Sequence, residues 1–87
     1  MDWSAKFRPS AFKELEKLPR EAHERILEAL EDARTAPRGK GTAMKVAKRD
    51  VPMWRYRVGD YRIVCHLRDA DQTILVLRIG HRREVYR

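Results

Sequence analysis

The segment running from Trp54 to Leu67 constrains the fold most. Trp54, Tyr56 and Val58 alternate with Arg55 and Arg57; after Gly59-Asp60, Tyr61, Ile63, Cys65 and Leu67 alternate with Arg62, Val64, His66 and Arg68. Period-two alternation on both sides of a two-residue Gly-Asp loop marks a β-hairpin, and a loop of that length takes a type I′ or II′ turn. Such a turn sets the register: Val58 opposes Tyr61, Arg57 opposes Arg62, Tyr56 opposes Ile63 and Arg55 opposes Val64. Residues directly opposite one another share a face of the sheet. Arg55, Arg57 and Arg62 therefore come together on one side. Trp54, Tyr56, Val58, Tyr61, Ile63 and Cys65 occupy the other, which needs an apolar layer to cover it.

The preceding residues supply that layer. Trp3, Ala5 and Phe7 alternate with Ser4, Lys6 and Arg8, the pattern of a short strand over residues 3–7. Pro9-Ser10 breaks it, and Ser10 is placed as the N-cap of a helix over residues 11–18, where Ala11, Phe12, Leu15 and Leu18 recur at helical spacing. Pro19 stops this helix and can open the next. From Arg20 to Ala36, the residues Ala22, Ile26, Leu27, Leu30 and Ala33 form an apolar stripe, with Glu24, Glu28 and Glu31 on a solvated opposite face. Pro37-Arg38-Gly39-Lys40-Gly41 is a break. Residues 42–52 hold too few apolar positions (Met44, Val46, Val51) to fix a period. After the hairpin, Asp69-Ala70-Asp71 turns the chain, and residues 73–79 form a nearly continuous apolar run suited to a strand buried on both faces. Gly80 ends it, and a basic tail follows. The order is strand, helix, helix, three strands, an α+β fold in two layers. The 87 residues fit a single domain, residues 1–87, with one modest core, and exclude a two-domain enzyme.

Charge narrows the function. Twenty Lys and Arg against thirteen Asp and Glu give a net charge of +7. Residues 1–32 carry six basic and eight acidic side chains, so the whole excess lies in residues 33–87, most of it as arginine. Guanidinium makes forked contacts to phosphate, and the balance favours a polyanionic partner, nucleic acid ahead of an anionic membrane. Arg57 directly across from Arg62 costs a few tenths to about 1 kcal/mol, and no carboxylate is interleaved with the three arginines. That face reads as a phosphate-binding surface, with Lys45, Lys48, Arg78 and Arg83 as secondary RNA contacts. Tyr86 lies among Arg82, Arg83 and Arg87, where its ring either stacks on exposed bases or anchors the tail to the core. His81 follows Gly80 and is of the type that titrates near neutral pH. Three scattered histidines and one cysteine make no metal site, so no metal or other cofactor is expected, and Cys65 reads as a small buried thiol. No apolar run reaches signal-peptide or transmembrane length, which gives the expectation of a cytoplasmic protein without membrane contact.

The stretch Trp54-Arg55-Tyr56-Arg57-Val58-Gly59-Asp60-Tyr61-Arg62-Ile63-Val64 resembles the RelE/ParE superfamily of toxins from bacterial type II toxin–antitoxin systems. So does the ending Leu77-Arg78-Ile79-Gly80-His81-Arg82-Arg83-Glu84-Val85-Tyr86, and the resemblance covers almost the whole chain. It implies an antiparallel-rich sheet with the helix pair on one face and a basic concave surface on the other. RelE-like members cut messenger RNA in the ribosomal A site; ParE-like members inhibit DNA gyrase and have largely lost the ribonuclease residues. Arg55 and Arg57 match the two basic residues of the RelE strand before the hairpin, Arg62 the arginine after it, Arg82 the basic residue after the glycine, and Tyr86 the C-terminal tyrosine. RelE often has lysine where this chain has Arg55 and Arg57, and arginine effectively cannot lose its proton. His81 resembles the histidine of some ribonuclease members and is the implied alternative base. The implied chemistry is metal-independent transesterification, with the ribose 2′-OH attacking the adjacent phosphate. The implied partners are a cognate antitoxin with acidic segments, and the ribosome with its mRNA and 16S rRNA. Operator DNA is reached only through the antitoxin. Gyrase inhibition, or RNA binding without catalysis, is the alternative.

Overall fold

Seven elements follow one another along residues 2–44 and 53–81, which the computed structural model describes: β1 (Ser4–Phe7), α1 (Pro9–Glu16), α2 (Arg20–Ala33), β2 (Thr42–Ala43), β3 (Met53–Val58), β4 (Tyr61–Arg68) and β5 (Thr73–His81). They form one sheet in the order β1-β5-β4-β3-β2. β1 runs parallel to β5, and the other neighbours are antiparallel. This is the α+β architecture expected from the pattern, with one strand more. β2 has two residues, too few to carry a periodicity, and exists through pairing of Thr42 with Arg55 and Ala43 with Trp54.

The hairpin register is the one the sequence sets, from Val58↔Tyr61 through Arg57↔Arg62 and Tyr56↔Ile63 to Arg55↔Val64. Gly59 has φ +58° and Asp60 is not left-handed, which selects the type II′ turn over type I′. Tyr56, Ile63 and Cys65 join Leu67, Ile74, Val76 and Ile79 in a core closed by Ala11 and Leu15 of α1 and Ile26, Leu30 and Ala33 of α2. Each fully buried Leu or Ile contributes roughly 1.5–3 kcal/mol. Phe12 and Leu27, although in the apolar stripes, stay largely exposed at their margins. Phe12 meets Phe7 edge-on with ring centroids 6.1 Å apart.

Three boundaries differ from expectation. α1 begins at Pro9, so Ser10 lies in its first turn and is not the N-cap; Arg8 holds that position without a side-chain cap. Proline at the first helical position forfeits an N–H that has no helical partner anyway. Arg8 meanwhile uses its own amide to extend the β1–β5 ladder, donating to the Val76 carbonyl at 2.9 Å. α2 ends at Ala33, short of Ala36. Arg34 is pinned there to the residue just before β1: Trp3 N donates to its carbonyl at 2.8 Å and Arg34 Nε donates to the Trp3 carbonyl at 2.7 Å. Finally, β5 does not stop at Gly80 but runs on to His81, with Gly80 paired to Arg62. A glycine opposite Arg62 puts no Cβ beside the long side chain and so permits the strand to continue. Beyond the end of β1 the outer edge of β5 is covered by α1, where Glu14 Oε1 accepts the Ile79 amide at 3.0 Å. A register shift at Val64/Cys65 leaves Leu77 as the extra residue of a bulge.

Candidate nucleic-acid interface

The face away from the helices is built in rows across β3, β4 and β5. Arg57, Arg62 and Gly80 make the first, Arg55, Val64 and Arg78 the second, and Met53, His66 and Leu75 the third. The arginine face expected from the hairpin is thus present in the backbone, but its side chains are treated differently. Arg57 is exposed and makes no ion pair among the described residues. Arg62 is only 6% exposed, and its Nη1 donates to the turn carbonyls of Tyr61 at 3.1 Å and Gly59 at 3.3 Å. The like charges on one row are therefore separated, one toward water and one clamped on the turn. Arg55 is half-buried. Arg78 leans to the sheet edge, its Nε 4.0 Å from Glu14 Oε2.

His81 does not join this set. It pairs with Tyr61 across β4 and β5, on the helix side of the sheet, and the two rings meet edge-on with centroids 6.2 Å apart. Its surroundings there include Pro19, Leu18 and Lys17. The third row gives the lower part of the helix-free face a different character. Met53, His66 and Leu75, with Phe7, Pro9 and Leu77, line an apolar groove. Lys45, Lys48, Arg82, Arg83 and Tyr86 lie outside the described residues.

A strap leads from α2 into β2 and was legible in the sequence only as a break. The Tyr56 hydroxyl, on a side chain 4% exposed, donates to the Pro37 carbonyl at 2.6 Å. Trp54 Nε1 donates to the Lys40 carbonyl at 2.7 Å. Arg38 makes a forked ion pair with Asp69 at 2.9 and 3.0 Å and lies over the Trp3 ring. The Asp69 hydrogen bond raises the Arg38 guanidinium above its ordinary range, and the Arg38 bond holds the Asp69 carboxyl below its own. Gly41 has φ +81°, and a Cβ there would fall 2.4 Å from the Arg55 carbonyl oxygen. Trp54 and Tyr56 carried the one available signal: polar-tipped aromatics facing a core need a partner.

Burial pushes the Cys65 thiol well above its ordinary pKa, so it is a packing group and not a nucleophile. Among the described residues no three His, Cys, Asp or Glu side chains gather as metal ligands, and no helix is long and apolar enough to cross a membrane.

Solved structures share this fold. RelE from Pyrococcus horikoshii, in its complex with RelB, is 26% identical, with a TM-score of 0.79 over 97% of this chain and 99% of that one. The toxin–antitoxin complex RelBE2 of Mycobacterium tuberculosis matches at 24% identity and a TM-score of 0.81, over 93% and 99%. A free Escherichia coli RelE carrying two arginine-to-alanine substitutions matches at 25% identity and a TM-score of 0.75, over 99% and 92%. No curated protein matches the sequence significantly. The family match is to the ParE toxin of the type II toxin–antitoxin system parDE and spans residues 5–86. The chain belongs to that family and is a type II toxin of the RelE/ParE superfamily.

Proposed function

We propose that this toxin is an endoribonuclease that cuts mRNA in the ribosomal A site by metal-independent transesterification. The observation that carries the reading is the first row of the helix-free face, where Arg57 stands opposite Arg62 and Gly80, paired with Arg62 on the other side, brings no side chain. The ribose 2′-OH attacks the adjacent phosphorus in line, the bond to the 5′-oxygen breaks, and the products are a 2′,3′-cyclic phosphate and a 5′-hydroxyl. Charge builds on the phosphorane oxygens, where Arg55, Arg57, Arg62 and Arg82 act; preorganised charge is usually the largest catalytic contribution. Tyr86 stacks on a base or orients the 2′-OH, and Lys45, Lys48, Arg78 and Arg83 hold the flanking backbone.

Proton transfer is the weak side of this site. Arginine does not deprotonate, His81 lies on the other face of the sheet, and His66 sits four residues along the strand from Arg62, roughly 13 Å away. A site of this kind depends on the ribosome to hold the RNA in an attack-ready geometry, and orientation alone supplies several kcal/mol of a barrier. In the bacterial cytoplasm the single domain of residues 1–87 is held inactive by a cognate antitoxin with acidic segments. The relatives solved in complex with RelB and the +7 charge support that partner, and operator DNA is reached through it. Association is fast and salt-sensitive.

Gyrase inhibition is the second reading, favoured by the ParE family match and by the separation of His81 from the arginines. Purified toxin is added to ribosomes programmed with mRNA, with gyrase supercoiling assayed in parallel. Cleavage within the A-site codon and undisturbed supercoiling are expected. Intact mRNA with blocked supercoiling overturns the ribonuclease reading.

A further inference from the structure

We propose that the apolar groove on the lower part of the helix-free face is a nucleobase subsite, which takes one unpaired base of the RNA whose phosphates meet the arginine rows. It rests on the reading of that face as an RNA surface, and it adds to that reading a place for a base and a side chain, His66, that meets it.

The groove has a volume of about 530 Å³, within the range of cavities that take small organic groups. Its floor is the third row, Met53, His66 and Leu75, extended by Leu77 beside the bulge, and it ends at Arg8 and Pro9, where the chain leaves β1. A thioether, two leucines and one imidazole make a surface that is apolar except for a single aromatic ring with nitrogens in it. A nucleobase matches both parts, with a π-face to stack and an edge that donates and accepts. The His66 ring is half-buried and makes no hydrogen bond or ion pair among the described residues. A purely aliphatic occupant would cut its nitrogens off from water and give them no partner.

Charge at the rim points the same way. Exposed Lys6 of β1 stands across from Leu75, on the face opposite Ala5 and Phe7, and Arg8 lines the end of the groove. The row of Arg55 and Val64 lies two residues along β3 and β4, about 7 Å away. One nucleotide bridges such a step, phosphate on the arginine row and base in the groove. Among the described residues no carboxylate lines this groove, whereas the cavities beside the helices hold Glu14, Glu21, Asp32 or Asp60. The acids of the β4–β5 turn are paired, Asp69 with Arg38 and Asp71 with Arg68. An apolar peptide segment could fill the same volume; continuity with the arginine rows and the unpartnered imidazole favour the base.

The test measures anisotropy of two fluorescein-labelled single strands of equal length, one a normal RNA and the other abasic, as a function of salt. Both offer the same phosphates, and only the first offers bases. Stacking of one base should make the normal strand bind at least about fivefold tighter, and His66→Ala should lose about that factor for the normal strand alone, with its salt slope unchanged. His66→Phe should retain the preference. Arg57→Ala is the reference and should weaken both strands, lowering the slope by about 0.7. If Arg57→Ala does so while His66→Ala leaves the normal strand unaffected, the base subsite is overturned and the RNA face stands. If neither variant changes RNA affinity, both fail. A His66→Ala loss that is equal for the two strands makes the groove a phosphate contact and overturns the proposal. So does a loss confined to binding of an amphipathic leucine-rich peptide, which would make it a protein-docking groove. Photocrosslinking of a thiouridine-bearing strand to the unsubstituted toxin needs no variant to fold: label on the peptides carrying Met53 or His66 is expected, and its absence from both overturns the subsite.

Discussion

Two arginines on one row, treated oppositely by the fold, should respond oppositely to mutation. Arg62 is 6% exposed and donates to two turn carbonyls at 3.1 and 3.3 Å. Hydrogen bonds from charged donors contribute about 1.5–3 kcal/mol, and these lengths lie at or beyond the long end of good geometry, so the pair is worth the lower part of that range. Arg62→Met keeps most of the apolar stem and removes both bonds. It also removes repulsion with Arg57, worth a few tenths to about 1 kcal/mol. The net is a loss of about 1 kcal/mol, which lowers the thermal midpoint of a domain this size by about 4–8 °C. Charge repulsion alone, which is all the sequence reveals, gives the opposite sign. Arg57→Met removes an exposed side chain with no ion-pair partner among the described residues and should leave the midpoint unchanged or raise it slightly. Circular dichroism melts of the two variants beside the parent decide the matter. An Arg62→Met variant as stable as the parent, or an Arg57→Met variant less stable than Arg62→Met, refutes the clamp.

Tyr56→Phe should lose about 1–3 kcal/mol in urea unfolding, because the buried bond of 2.6 Å disappears and the Pro37 carbonyl is left without its donor. Gly41→Ala should lose a similar amount, since its φ of +81° and the approach of 2.4 Å to the Arg55 carbonyl both oppose a side chain. Burial raises the Cys65 thiol and Tyr56 phenol above their ordinary values of 9.0 and 10.0. Their contribution is therefore intact below about pH 9 and falls as pH climbs beyond it, the unfolded chain releasing these protons first, with a slope of up to about 1.4 kcal/mol per pH unit for each group. Unfolding measured from neutral to alkaline pH should show this decline, and Cys65→Ala should make it shallower. Glu14→Ala should speed hydrogen exchange at the Ile79 amide, which loses its acceptor at 3.0 Å.

The hairpin was legible because a two-residue loop leaves one register open, and that register dictates which side chains share a face. All the facing residues follow from it. The opposite assignment of His81 has the same origin. With the strand ended at Gly80, the alternation stopped one residue short; carried through, it sets Ile79 and His81 on the core face and Gly80 beside Arg62. Glycine here continues the strand instead of ending it. Ser10 is not the cap because proline is itself well suited to the first helical position, which moves the start of α1 back to Pro9. β2 and the strap were beyond reach for another reason. Their partners are the carbonyls of Pro37 and Lys40, and no side-chain pattern encodes where a backbone carbonyl is needed. The burial of Arg62 was hidden likewise: charge alone places it in water, and the turn carbonyls that accept it are common to every hairpin.

These details bear on how such a site works under the ribonuclease reading. Lysine at the positions of Arg55 and Arg57 can hold a charge or give up a proton, depending on its surroundings; arginine holds the charge only. The turn carbonyls on Arg62 go further in that direction, since among the described residues they orient one guanidinium with no carboxylate to cancel its charge toward an approaching phosphate. The described part of the helix-free face is thus built to supply fixed positive charge, and its imidazole, His66, lies two rows from Arg57 and Arg62. Charge of this kind stabilises a phosphorane wherever RNA presents one, but it does not select an in-line geometry or remove the 2′ proton. Selectivity must then come from whatever holds the RNA, which is why free RNA should bind to this face yet be cut poorly, while RNA fixed in a decoding site is cut at one place.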